Sequence, residues 1–136
     1  MPIEGSEYVE VSELKEALLN SLVTLNKTTP TVSSATLTFD FGGKMECFAT
    51  LSGGGGIVVN ENITVAYSNA ANFMVLWATV NVTTATRTVT FPTNHVSGDS
   101  RWTSATRLLT LPVGRYQLSV MYDGSYYHVT CSQIEV

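Results

Sequence analysis

From Ala35 onward the chain is cut into short runs of strand-forming residues by turn signals, a rhythm that an all-β domain satisfies and a helical one does not. Thr36-Leu37-Thr38-Phe39-Asp40-Phe41 alternates and stops at Gly42-Gly43. Lys44 to Leu51 then returns, the pattern of a hairpin. Gly53 to Gly56 reads as a flexible loop, and Asn62 to Tyr67 as the next strand. Residues 85–91 alternate again up to Pro92. Thr106 to Leu111 and Arg115 to Tyr122 flank Pro112-Val113-Gly114, a second expected hairpin. Tyr122-Asp123-Gly124-Ser125-Tyr126 closes a third, leading into a last strand from Tyr127 to Cys131. About eight or nine short strands at this spacing predict a β-sandwich or jelly roll.

Composition agrees. Nineteen Thr and sixteen Val, with six Tyr and five Phe, favour strands. Charge is distributed unevenly. Glu4, Glu7, Glu10, Glu13 and Glu16 face only Lys15, whereas residues 17–136 carry six acids and six bases. The net charge of −4 therefore belongs to the N-terminal segment, and the body is neutral and sparsely charged. Permanent interfaces are depleted in charge in the same way. No basic patch suits a nucleic-acid backbone, and no apolar run reaches the roughly 20 residues of a membrane helix.

The N-terminal segment differs in kind. Ser12 precedes Glu13 to Val23, where it can cap a first turn, and Leu14, Leu18, Leu22 and Leu25 fall on one helical stripe. A helix over about 12–25 is marginal alone, so it is expected to dock on its own body, on symmetry mates or on another protein. Lys27 to Ser34 reads as a linker in which Pro30 bars helix, and the chain divides into an anchoring segment (1–30) and a β-head (31–136). The first residues show no positive region followed by an apolar one, so the protein is expected to be made in the cytoplasm without a signal peptide. Cys47 and Cys131 are accordingly expected to be free, packed thiols.

Phe73-Met74-Val75-Leu76-Trp77-Ala78 is apolar on both faces, as in a sheet interior or at a subunit interface. Phe73, Val75 and Trp77 are the interface candidates, with Trp77 also read as core. Trp102, in a polar loop beside Arg101, is the candidate ligand contact, for example to a host-surface glycan.

No catalytic constellation emerges. His95 and His128 are the only histidines, and the Asp99 that follows His95 in a glycine-containing loop fixes no geometry. Three or four convergent metal ligands are not in view. Gly53–Gly56 precedes neither the Lys-Ser/Thr nor the helix of a phosphate loop. The expectation is a protein that is not an enzyme and needs no cofactor.

Thr88-Val89-Thr90-Phe91-Pro92, Leu108-Leu109-Thr110-Leu111 and the stretch Tyr116 to Tyr127 with its Tyr-Asp-Gly hairpin resemble the C-terminal domains of bacteriophage fibre and spike proteins. The short acidic segment in front looks like the attachment segment of a head or tail fibre, such as those of crAss-like phages. The resemblance covers about fifty residues, and this chain has no repeat shaft between helix and head. It implies a homotrimeric virion protein attached to capsid or tail proteins, and carries no functional residue beyond the structural hairpin.

Overall fold

The computed structural model describes residues 26–28, 30–49, 56–70 and 74–135. The leucine stripe Leu14, Leu18, Leu22 and Leu25, the interface candidate Phe73 and most of the glycine loop lie outside them. In chain order the strands are β1 (Asn26–Thr28), β2 (Val32–Ser33), β3 (Thr36–Asp40), β4 (Glu46–Ala49) and β5 (Ile57–Val59). They continue with β6 (Ile63–Ser68), β7 (Val75–Val82), β8 (Arg87–Thr90) and β9 (His95–Val96). The last are β10 (Trp102–Thr103), β11 (Leu108–Leu111), β12 (Gly114–Tyr122) and β13 (Tyr127–Glu135).

These strands form two mixed sheets, so the expected all-β class holds for the described residues. A front sheet runs β1-β4-β7-β12-β13-β9, with β5 also on β7, and a back sheet runs β10-β11-β8-β6-β3-β2. Their inward side chains meet in one core. The front sheet contributes Leu76, Ala78, Val80, Val82, Tyr116, Leu118 and Val120, and the back sheet Leu37, Phe39, Ile63, Val65, Val89, Leu109 and Leu111. The alternation that places them there is clearest in β7, where half-buried and buried residues alternate along the whole strand.

Two of the expected hairpins are crossings instead. β3 lies in the back sheet and β4 in the front sheet, so Gly42-Gly43 carries the chain from one layer to the other. Both glycines are left-handed, at φ 58° and 77°. Nothing crowds the Cβ position of Gly43, so its requirement is conformational rather than steric. The corner is tied to the back sheet by Phe41 N–H to Ser68 O (2.9 Å) and Gly43 N–H to Asn69 O (2.8 Å). Asp40 Oδ1 accepts from Gly42 N (2.8 Å) and Asn69 Nδ2 (3.0 Å). Pro112-Val113-Gly114 likewise takes the chain from β11 in the back sheet to β12 in the front sheet, braced by Tyr116 Oη donating to Pro112 O at 2.7 Å.

The third hairpin forms as expected. β12 and β13 pair antiparallel from Tyr122 with Tyr127, around a tip at Gly124-Ser125. Asp123 Oδ1 accepts from the Ser125 and Tyr126 amides, both at 2.7 Å. Among the described residues six pairings are parallel and five antiparallel. This departs from the antiparallel Greek keys of a jelly roll.

Candidate functional site

Strand parity decides what the front sheet shows outward. With Leu76, Ala78, Val80 and Val82 buried, β7 turns Val75, Trp77, Thr79 and Asn81 to the other face. β12 does the same with Arg115, Gln117, Ser119 and Met121. Register then stacks these residues in rows across the strands. One row is Glu46, Val75, Met121 and His128, and the next brings Trp77, Ser119 and Thr130 together. A third joins Thr79, Gln117 and Ser132, with Thr79 Oγ1 donating to Gln117 Oε1 at 3.3 Å. The fourth holds Val58, Asn81 and Arg115.

Across β7, β12 and β13 the middle rows of this face carry no charge, while register puts Lys27 of the edge strand β1 in the Trp77 row. Glu46 and His128 lie at one end and Arg115 at the other. Met121 is 56% exposed and Val58 44% exposed, and Ile134, 54% exposed, lies where a register shift interrupts the β12–β13 ladder. Gly56 keeps the surface flat beside Thr79: a Cβ there would lie 3.2 Å from Thr79 Cγ2, at φ +83°. Trp77, read from its apolar surroundings as core, is half-buried on this outer face. Val75 shares that position, so the two described interface candidates fall on one surface.

The histidines hold structural places. His95 is 4% exposed, inside an aromatic stack with Tyr127 (ring centroids 4.5 Å), Phe91 (5.6 Å) and Tyr67 (5.7 Å). Its Nδ1 lies 3.0 Å from Thr93 O, which can only accept, so Nδ1 carries the proton and Nε2 accepts from Tyr67 Oη at 2.8 Å. Burial pushes the His95 pKa down and the Tyr67 phenol pKa up. Both ring nitrogens are committed, neither to a nucleophile nor to a carboxylate.

Asp99 turns instead to Arg101, whose Nε and Nη2 donate at 2.9 and 2.8 Å. The guanidinium lies 5.3 Å from the Tyr116 ring centroid, so this charge pair closes within one subunit. His128 pairs with Asp123 at 2.6 Å on the surface. Trp102 is half-buried with its ring 5.6 Å from Phe91, on the flank of the core. Cys47 and Cys131 are free and buried, each thiol pushed up to about 11 by desolvation.

Among the described residues no three His, Cys, Asp or Glu side chains are grouped to hold a metal ion. No described helix is long and apolar enough to cross a membrane. No protein-family model, curated protein or solved structure matches the chain.

Proposed function

We propose that this chain is a non-enzymatic, self-associating structural subunit: a homotrimeric fibre or spike component of a bacteriophage particle, made in the host cytoplasm. Its two sheets over one core serve as a β-sandwich head. The segment bearing Leu14, Leu18, Leu22 and Leu25 attaches the head to a capsid or tail protein. The observation that supports the self-association is the sparsely charged outer face of the front sheet, where β7, β12 and β13 place Trp77 between Val75, Met121 and a surround of Ser, Thr and Gln, with Lys27, Glu46 and Arg115 towards its margins.

The energetics suit a shared surface. Each 100 Å² of apolar area removed from water contributes about 2.5 kcal/mol. Association costs on the order of 4–15 kcal/mol in lost freedom. One such face per subunit, closed in a ring, brings several contacts to bear on that cost at once. Small hydroxyl side chains beside a Trp let two flat sheets approach closely and still satisfy their polar groups.

Size-exclusion chromatography with light scattering on the intact chain tests this directly. The expected mass is three times 14.7 kDa, falling to the single-chain value in Trp77→Lys with the circular dichroism of the β-fold retained. A parent protein that runs as one folded chain at micromolar concentration removes the reading.

A further inference from the structure

His95 is the buried polar side chain of the core, and it sits in a strand of only two residues. β9 joins the front sheet through Tyr127 and His128 alone. Around it the chain from Asn94 to Arg101 runs as a strap along the outer edge of β13, satisfying that edge one residue in two. Tyr127 N–H donates to Asn94 O (2.8 Å), Ser97 Oγ to Val129 O (2.7 Å) and Arg101 Nη2 to Cys131 O (3.0 Å). An open surface groove of about 450 Å³ is lined by both strap and strand, with Ser97 and Asp99 on one side and His128 and Thr130 on the other. Outside the two residue pairs of β9 the strap touches β13 through point contacts rather than a continuous ladder. Its near end depends on the His95 ring.

We propose that His95 is an acid-operated latch, whose protonation at Nε2 drives the ring out of its aromatic slot and frees the 93–98 strap from the edge of β13. In the closed state Nε2 accepts the Tyr67 hydroxyl proton; protonating Nε2 turns that bond round, so that the ring donates to Tyr67 Oη and the Tyr67 O–H loses the acceptor it has there. No carboxylate faces the ring, and burial outweighs the Thr93 and Pro92 carbonyls that favour its charged form. β6 presents Tyr67, β13 presents Tyr127 with Tyr122 stacked behind it, and the end of β8 presents Phe91. Trp102 of β10 lies beyond Phe91. Arg107, ahead of β11, adds a like charge. The neighbouring acids are engaged elsewhere, Asp99 by Arg101 and Asp123 by His128.

The sign follows from linkage. The closed ring resists protonation and the released ring titrates near its ordinary 6.5. Closure is thus fully stable above that pH and loses up to tenfold in equilibrium constant per pH unit below it. An opened strap leaves the outward amides and carbonyls of β13 unpaired, an edge that accepts an added strand.

Amide hydrogen exchange by NMR on the intact chain, corrected for intrinsic rates, tests the latch. Between pH 7.5 and 5 the opening constant at the Tyr127 amide should rise about tenfold per unit once below 6.5. The Val75 amide, bonded to Met45 O away from the strap, should stay constant. His95→Gln, which keeps an acceptor for Tyr67 without a titrating ring, should abolish the rise, and the exposed His128→Gln should leave it intact. A flat Tyr127 profile in the parent overturns the proposal, even if the glutamine variant fails to fold. So does a parallel change at Val75, persistence of the rise in His95→Gln, or its loss in His128→Gln.

Discussion

Neighbouring residues of β7 should respond to truncation in opposite ways. Leu76 is fully buried, with Cys47 of β4 and Val120 of β12 as its register partners on either side. Leu76→Ala removes its packing and leaves a cavity, at about 3 kcal/mol from a range of roughly 2–5. With a urea m-value of about 2 kcal/mol/M, the midpoint falls by about 1.5 M. Trp77 points the other way and is half-buried. Trp77→Ala should cost the isolated subunit only about 1 kcal/mol, or about 0.5 M of midpoint. If the proposed association holds, its larger effect should be there, and that part should depend on protein concentration because binding between subunits would stabilise the folded state by mass action. Urea titrations of parent and variants at two concentrations a hundredfold apart, read by circular dichroism, separate the contributions. The Leu76→Ala loss should persist at both concentrations, whereas the Trp77→Ala loss should shrink towards its small intrinsic value on dilution. Equal losses for the two variants at the lower concentration would mean that Trp77 is packed in the core, and the outer-face assignment would fail.

Further outcomes are expected elsewhere. Ser34 and Ala35 turn β2 into β3 with left-handed φ of 52° and 60°, so Ala35→Gly should stabilise by about 1 kcal/mol, seen as a higher melting temperature; a lower one contradicts the strain argument. With both thiols near 11 and buried, a thiol reagent at pH 8 should label Cys47 and Cys131 only after denaturation, and a mass spectrum showing immediate modification of the native protein would contradict their packing. The Asp123 carboxyl, held at about 2 by the Tyr126 amide, His128 and the Ser125 amide, should keep its hairpin contribution above the ordinary carboxylate range and lose it as pH falls towards 2. Carboxyl carbon shifts in an NMR titration report this, and a midpoint near 3.8 would remove the Asp123 caps from the account.

What was legible in the residues was parity more than partnership. The alternation of β3 and β12 placed Leu37, Phe39, Tyr116, Leu118 and Val120 inward, and the Asp-Gly tip between β12 and β13 marked a true hairpin. The core reading of Trp77 fails because parity cannot be read inside a run where every residue is apolar. Extending the strand to Val82 supplies the missing signal: Thr79 and Asn81 share its phase, and Val80 and Val82 share that of Leu76. The β2–β3 hairpin left no mark because its turn uses Ser and Ala at positions where Gly or Asn is the usual cue. The paired nitrogens of His95 were illegible for another reason, since Tyr67 and Tyr127 reach it from 28 and 32 positions away along the chain.

The two misread hairpins share a cause that also explains the mixed sheets. Parallel neighbours need a crossover connection, usually supplied by a helix. Here the crossover is a strand of the opposite sheet. β4 and β5 carry the chain between the parallel pair β3 and β6, β6 between β5 and β7, and β7 between β6 and β8. A Gly-Gly or Pro-x-Gly signal in such a chain reports that the backbone changes direction, and the layer in which it lands is fixed by which face of the next run is apolar. Pairing then depends on contacts far apart in sequence, so closure entropy precedes the reward of burial and folding is expected to be slow for the chain's length. The same winding leaves β7 and β12 central in the front sheet while β9 closes its far edge with only two residues. Resistance to opening should therefore be greatest at the β7–β12 ladder and least at the strap hung from His95.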